Sequence, residues 1–255
     1  MALRFAFLGS GSRGNALLVE TPEVRVLLDC GFAARETESR LKSLQVDPQT
    51  LSAILVTHEH SDHVRGVGTM ARRYRIPVWM TPGTARNEPF GDLPDLHMID
   101  CHGAGWSLAD LRVTPYPVPH DAREPCQFTL CQGNACLGVL TDTGHVTPHI
   151  VEMLQTCDSL VLEFNHDRQM LADGPYPKTL QARVGGRHGH LNNDQALHLL
   201  GQLPVSRLRH LVASHISEKN NTPKRVRELL ERHQPELAGR CHLAEQGRVS
   251  SWFDL

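Results

Sequence analysis

No stretch of this 255-residue chain approaches the roughly 18 consecutive apolar residues that a membrane-spanning helix needs, so no membrane span is expected. The opening run Met1–Phe7 is too short for a signal-peptide core, and no small-residue cleavage site follows it, which points to the cytoplasm. An excess of positive charge is also lacking. Lys and Arg number 26 against 28 Asp and Glu, a formal net charge of −2, so no global basic field draws polyanions to the molecule. There is no Cys-x-x-Cys pair. The 7 cysteines include Cys126, Cys131 and Cys136, whose spacing fits no zinc knuckle, and all are expected to be reduced, mostly buried thiols. Internal repeats, low-complexity tracts and linkers are absent. With 40% apolar and 21% charged residues, positions 1–255 are expected to form a single ordinary globular domain. Among the cations Arg greatly outnumbers Lys. Arg is the better bidentate reader of phosphate, so a local anion patch stays open, although a GC-rich gene explains the same bias.

What the chain has in abundance is histidine, 16 in all. Three of them crowd with two carboxylates into Thr57-His58-Glu59-His60-Ser61-Asp62-His63, directly after the apolar run Ala53–Val56. That run reads as a buried strand, so the cluster stands where a strand ends, the usual ligand position of α/β folds. Imidazole and carboxylate are the donors that hold zinc, manganese or iron. His58 and His60 can turn to one ion, and Asp62 and His63 can reach a second.

The same event recurs along the chain. Strands are expected at Leu3–Leu8, Ala16–Glu20, Val24–Cys30, Ile76–Met80, Leu111–Val118, Phe128–Leu130, Ala135–Leu140, Ser159–Phe164 and His210–Ser214, with short closing strands near Cys241–Ala244 and Val249–Phe253. Prolines make Leu111–Val118 an edge strand by preference. Helices are expected at Ala33–Gln45, Val64–Tyr74, Pro148–Thr156, Leu180–Val184, Asp194–Gly201 and Pro223–His233, and Thr81–Gly105 is expected to be mostly loop with room for a short helix. A His or Asp stands at the end of strand after strand: His58, His120, Asp142, His166 and His215. If those ends share a rim, His58, His60 and His120 bind a first ion, Asp62, His63 and His215 a second, and Asp142 bridges them. The small-residue loop Gly9–Asn15 lacks a P-loop ending and precedes a strand. It suits close approach of backbone to a metal site or substrate better than a nucleotide cradle.

The order His58-x-His60-x-Asp62-His63, then His120, Asp142 and His215, resembles the metallo-β-lactamase superfamily over nearly the whole chain. The resemblance implies an α/β fold of the αβ/βα metallo-β-lactamase sandwich type, two mixed β-sheets flanked by helices, with two divalent ions along one edge. More narrowly, Gly9–Asn15, Glu163-Phe164-Asn165-His166-Asp167, Gly189-His190-Leu191-Asn192-Asn193 and Ser214-His215-Ile216-Ser217 with Asn220-Asn221 are similar to the YycJ/WalJ-like exonuclease subfamily. That likeness implies 5′→3′ exonuclease action on DNA, linked to mismatch repair. Glu163 and His190 also match the positions of a carboxylate–imidazole dyad in tRNA-processing RNase Z. The long exosite arm of that enzyme has no counterpart here, and no β-CASP insertion fits between Asp142 and His215.

The ligand set therefore predicts hydrolysis by a hydroxide bridging two ions, zinc or manganese with iron also compatible, with Asp62 among the ligands and His190, oriented by Glu163, protonating the leaving oxygen. His166 is expected as an extra ligand or a 5′-phosphate contact, with a purely structural role as the alternative, and Arg183 and Arg187 as contacts to backbone phosphates, with a solvated helix end as theirs. Two other functions share the same donors: a small-molecule hydrolase of thioesters, lactones, β-lactams or cyclic phosphodiesters, and a metal-binding regulator without catalysis. The oligomeric state is not encoded in any of these motifs.

Overall fold

Alternation organises the structure, a computed structural model that describes residues 3–86 and 90–255. The strands, in chain order, are β1 (Arg4–Gly9), β2 (Ala16–Glu20), β3 (Arg25–Leu28), β4 (Ala53–Leu55), β5 (Val78–Met80), β6 (Leu96–Met98), β7 (Trp106–Leu108), β8 (Leu111–Pro117), β9 (Cys126–Gln132), β10 (Ala135–Leu140), β11 (Ser159–Glu163), β12 (His210–Ser214), β13 (Cys241–Leu243) and β14 (Phe253–Asp254). The helices are α1 (Ala34–Ser43), α2 (Ser61–Val64), α3 (Val67–Tyr74), α4 (Pro82–Ala85), α5 (Pro148–Leu154), α6 (Arg168–Asp173), α7 (Lys178–Val184), α8 (Asn193–Leu200) and α9 (Pro223–His233).

Two 7-stranded sheets result, ordered β14-β1-β2-β3-β4-β5-β6 and β13-β12-β11-β10-β9-β8-β7. Successive side chains of a strand face opposite ways. In β1, Phe5 and Phe7 enter the cluster between the sheets, where Phe128, Leu130, Val139, Val161 and Val212 of the other sheet meet them. Leu8 of the same strand turns outward, onto the layer that holds Leu41 of α1 and Met70 of α3. In β12, Val212 points between the sheets while Leu211 and Ala213 face Val226 and Leu230 of α9. Both faces of the central strands of each sheet are thus covered, which is why so many of them read as unbroken apolar runs, while the edge strand β6 stays exposed. Each fully buried Leu, Val or Phe contributes about 1.5–3 kcal/mol.

Strand direction positions the site. β3, β4, β5 and β6 run parallel, as do β10, β11, β12 and β13, so their carboxyl ends share a rim. β1 and β8, each two antiparallel steps from those sets, end on that rim as well.

Several expectations are corrected. β8 is not an edge strand: it lies between β7 and β9. Its prolines are nonetheless tolerated for the expected reason, because β7 pairs only with Leu111–Val113 and leaves Pro115 and Pro117 free on that side. The described part of Thr81–Gly105 is mostly loop with the short helix α4, as expected, but it also contributes β6, which pairs with β5 through Val78–Met80. The helix expected over Val64–Tyr74 begins earlier and breaks at Arg65–Gly66, where the Gly66 N–H donates to Cys30 O instead of continuing the helical ladder. The closing strand shrinks to Phe253–Asp254. Cys131 and Cys136 are not free thiols. They stand opposite each other across the β9–β10 hairpin with Cα atoms 4.1 Å apart and are joined as a disulfide, whereas Cys30, Cys101, Cys126, Cys157 and Cys241 are free.

Candidate metal centre

The histidine-rich segment is anchored before it offers any ligand. At the end of β3 the Asp29 carboxylate accepts the Thr57 N–H at 2.8 Å on Oδ1 and the Thr57 hydroxyl at 2.9 Å on Oδ2, and His63 Nδ1 lies 2.7 Å from Oδ2. With its proton given to Asp29, the Thr57 hydroxyl accepts from His58 Nδ1 at 2.9 Å. These contacts leave Nε2 of both His58 and His63 as the nitrogens facing the rim. His120 does the same through Nδ1, which donates to Gly189 O at 3.0 Å. Such partners fix the tautomer of a metal-binding imidazole. From the Gly9–Asn15 loop, Asn15 donates its backbone N–H to Asp62 O at 2.8 Å, and its amide nitrogen lies 3.2 Å from Asp62 Oδ2. Gly31 makes the approach feasible, since a Cβ there would lie 1.7 Å from Asp62 O.

The expected ligands converge. His60 Nδ1 is 3.0 Å from His58 Nε2 and 3.3 Å from His120 Nε2. His63 Nε2 is 3.5 Å from Asp62 Oδ2 and 3.5 Å from Asp142 Oδ2. His215 Nε2 is 3.8 Å from Asp62 Oδ2, while its Nδ1 is 3.0 Å from Asp142 Oδ1. Donor atoms of His58, His60 and His120 lie within 4.8 Å of one another, as do those of His58, His63 and Asp142. Asp142 therefore stands between the groups. Its Oδ2 is buried and accepts no hydrogen bond among the described residues. A buried carboxylate oxygen without a donor, surrounded by imidazole nitrogens whose other ring atom is occupied, is the arrangement a divalent cation satisfies. Asp29, Asp142 and His215 also have φ of 59°, 53° and 51°. Residues with a Cβ pay about 1–2 kcal/mol for that conformation, and here the turn directs each strand-end side chain across the rim.

Glu163, at the end of β11, is fully buried. Its Oε1 is 2.8 Å from His190 Nδ1 and 3.2 Å from His215 Nδ1, and its Oε2 accepts the Leu191 N–H at 3.0 Å. His190 is partly exposed and lines a cavity of about 350 Å³, with Asp62, Asp142 and His215 also in its wall.

Charge divides the site in two. Burial, reinforced by the charge of His63, pushes His58 well below the ordinary imidazole range, and burial also lowers His120. Both therefore present neutral rings. Burial opposes the charging of His63 and His215, but Asp142, with Asp29 and Asp62 around His63 and with Glu163 beside His215, holds both well above that range. Asp62 and Glu163 are raised by burial, yet His63 and His215 bring Asp62 down to about 2, and His190 and His215 do the same for Glu163. Metal binding would displace the protons of His63 and His215.

The substrate-binding expectations fare differently. His166 does not reach the cavity. It is 2% exposed, its ring 3.3 Å from Asn165 Oδ1 and its carbonyl accepting the Asn193 N–H, and Asn165 lines the wall in its place. Arg183 does line the cavity, but its Nε is engaged by Asp121, whose Oδ1 lies 3.5 Å from His120 Nε2. Arg187 is exposed and outside the wall, and its carbonyl accepts from His145 Nδ1 at 2.8 Å. Sequence reasoning missed Asp29, Asn15 and Asp121. For Asp29 the signal was present, since it follows β3 as Asp142 follows β10.

Residues 24–216 match the family model described as the beta-lactamase superfamily domain. The chain is 35% identical over 230 residues to exodeoxyribonuclease YycJ of Bacillus anthracis, covering 89% of this chain and 87% of that protein. It is 29% identical over 227 residues to exodeoxyribonuclease WalJ of Streptococcus pneumoniae, covering 87% and 84%. The fold is similar to that of the metallo-beta-lactamase fold protein YhfI from Bacillus subtilis, with a TM-score of 0.74 at 15% identity over 98% of this chain and 99% of that one.

Proposed function

The chain belongs to the β-lactamase superfamily, and from that premise we propose that residues 1–255 act as one catalytic domain, a 5′→3′ DNA exonuclease of the cytoplasm with a role in mismatch repair. The observation that carries this reading is the His190–Glu163 pair beside the ligand cluster. Release of an alkoxide from a phosphodiester needs a proton, and hydrolysis of a thioester needs it far less. The relatives named exodeoxyribonucleases support the same substrate class.

His58, His60 and His120 would hold one divalent ion and Asp62, His63 and His215 another, with Asp142 shared. Zinc, manganese and iron all suit these donors. When bound, the ions supply Lewis acidity and lower the pKa of water toward neutrality. The chain's own residues do the rest. Glu163, held ionised, orients His190 and raises its basicity, so the ring carries a proton on the face of the cavity where the leaving oxygen sits. Asp29 and Asn15 keep Asp62 and His63 aimed.

Metal-loaded protein is to be incubated with 5′-phosphorylated linear duplex DNA, with and without chelator, beside the Asp62→Asn and His190→Ala variants. Mononucleotide release that stops with chelator and falls in both variants is expected. Release that survives chelation sinks the reading. Absence of release, beside rapid thioester hydrolysis, replaces it with a small-molecule hydrolase. A regulator without catalysis would hydrolyse neither substrate, and the convergence of all seven expected donors argues against it.

A further inference from the structure

Beside the reaction cavity runs a second groove of about 260 Å³, walled in part by Ser61, Arg65, Thr69, Arg72 and Phe90. Ser61 lines both, so the groove begins next to Asp62. Ser61 opens α2, Arg65 stands at the break that follows it, and Thr69 and Arg72 lie on α3; all four are exposed and line the groove as it leads away from the ligand cluster. The far wall is built by contact. Gly68 lets Phe90 sit directly on α3, for a Cβ there would lie 2.0 Å from Phe90 O, and Arg72 Nη1 donates to that same carbonyl. The guanidinium of Arg72 is thereby held in place with Nε and Nη2 unengaged among the described residues.

The cations around the site are not equivalent. Arg183, expected to contact phosphate, is neutralised by Asp121, and Arg73 is paired with Glu38. Among the described residues no carboxylate pairs with Arg65 or Arg72. We propose that this groove carries the sugar–phosphate backbone of a polynucleotide beyond the reaction cavity, with Arg65 and Arg72 on its phosphates. The inference rests on the nuclease reading and narrows its substrate to a strand longer than a dinucleotide. Contacts of this kind fix register without reading sequence.

The test is binding of a cleavage-resistant phosphorothioate oligonucleotide and of a phosphorothioate dinucleotide to the metal-loaded protein, followed by fluorescence anisotropy across a salt series. Arg65→Ala and Arg72→Ala should each weaken oligonucleotide binding about threefold to tenfold and reduce the salt slope by about 1, with a smaller loss on the dinucleotide. Arg65→Lys should recover most of the affinity, and Arg73→Ala, outside the groove, should match the unaltered protein. Equal losses on both ligands, or no loss from either arginine while the unaltered protein binds the oligonucleotide, would overturn the groove and leave the nuclease reading standing. Failure of the unaltered protein to bind the oligonucleotide at any salt would remove both.

Discussion

His190 Nδ1 lies 2.8 Å from Oε1 of Glu163, a carboxylate with no exposed surface. The pair joins a ring that faces the cavity to a charge that solvent cannot screen. His190→Ala should lower kcat on oligonucleotides about 10²–10⁴-fold. On a p-nitrophenyl ester of a nucleotide, whose leaving group departs without a proton, the loss should be much smaller. Glu163→Gln should show the same dependence on leaving group with a milder loss, because it acts through the imidazole. Steady-state kinetics on the two substrates checks both, and equal losses on the two would refute proton transfer by His190.

Asp29 is the support on which the histidine-rich segment rests. Asp29→Ala should weaken metal binding about 10–100-fold, measured by competition with a chromogenic chelator. It should also destabilise the metal-free protein, since the buried Thr57 N–H would lose its acceptor at a cost of about 1–3 kcal/mol. An unchanged metal affinity would show that His63 is oriented by other contacts.

The unpartnered Asp142 Oδ2 predicts that metal stabilises the fold. Ion at 100 times its Kd contributes about 2.7 kcal/mol. For a chain of this length that corresponds to a rise in Tm of about 5–10 °C. Calorimetry should find this rise with zinc or manganese, its reversal by chelator, and its loss in Asp142→Asn.

His166, sealed behind the rim, predicts an acid-sensitive stability. Burial is the main cause that brings its pKa down to about 4. The folded-state value lies below the unfolded value of about 6.5, so the folded form resists protonation. Its contribution is complete above about pH 6.5 and is lost as pH falls toward 4, up to about 3 kcal/mol. Thermal melts across that window should therefore fall more steeply for the native protein than for His166→Gln.

The convergence of the candidate donors on one rim was legible because each obeys a local rule: a His or Asp at the end of an apolar run. Buried strands read as apolar runs, and parallel strands place their ends together, so His58, His120, Asp142 and His215 could be found without coordinates. For His166 the structure favours the structural alternative. It too follows a strand, but its bridge to Asn192 turns it inward, and Asn165 takes the place at the wall. Proline chemistry likewise described β8 correctly at Pro115 and Pro117 and still misplaced the strand, since β7 covers only its first half.

Residue types and spacing alone pointed to metal-binding donors, while the sandwich and the pairing of Glu163 with His190 were legible only through the resemblance that those motifs carry. Which cations remain available to substrate was decided only by tertiary structure. Whether an arginine is free depends on what folds against it: Asp121 reaches Arg183 from across 62 residues of chain, while Arg65 and Arg72 stand along an open groove. Long-range ion pairing leaves no periodic trace in a sequence, because a screened surface charge imposes no spacing on its neighbours.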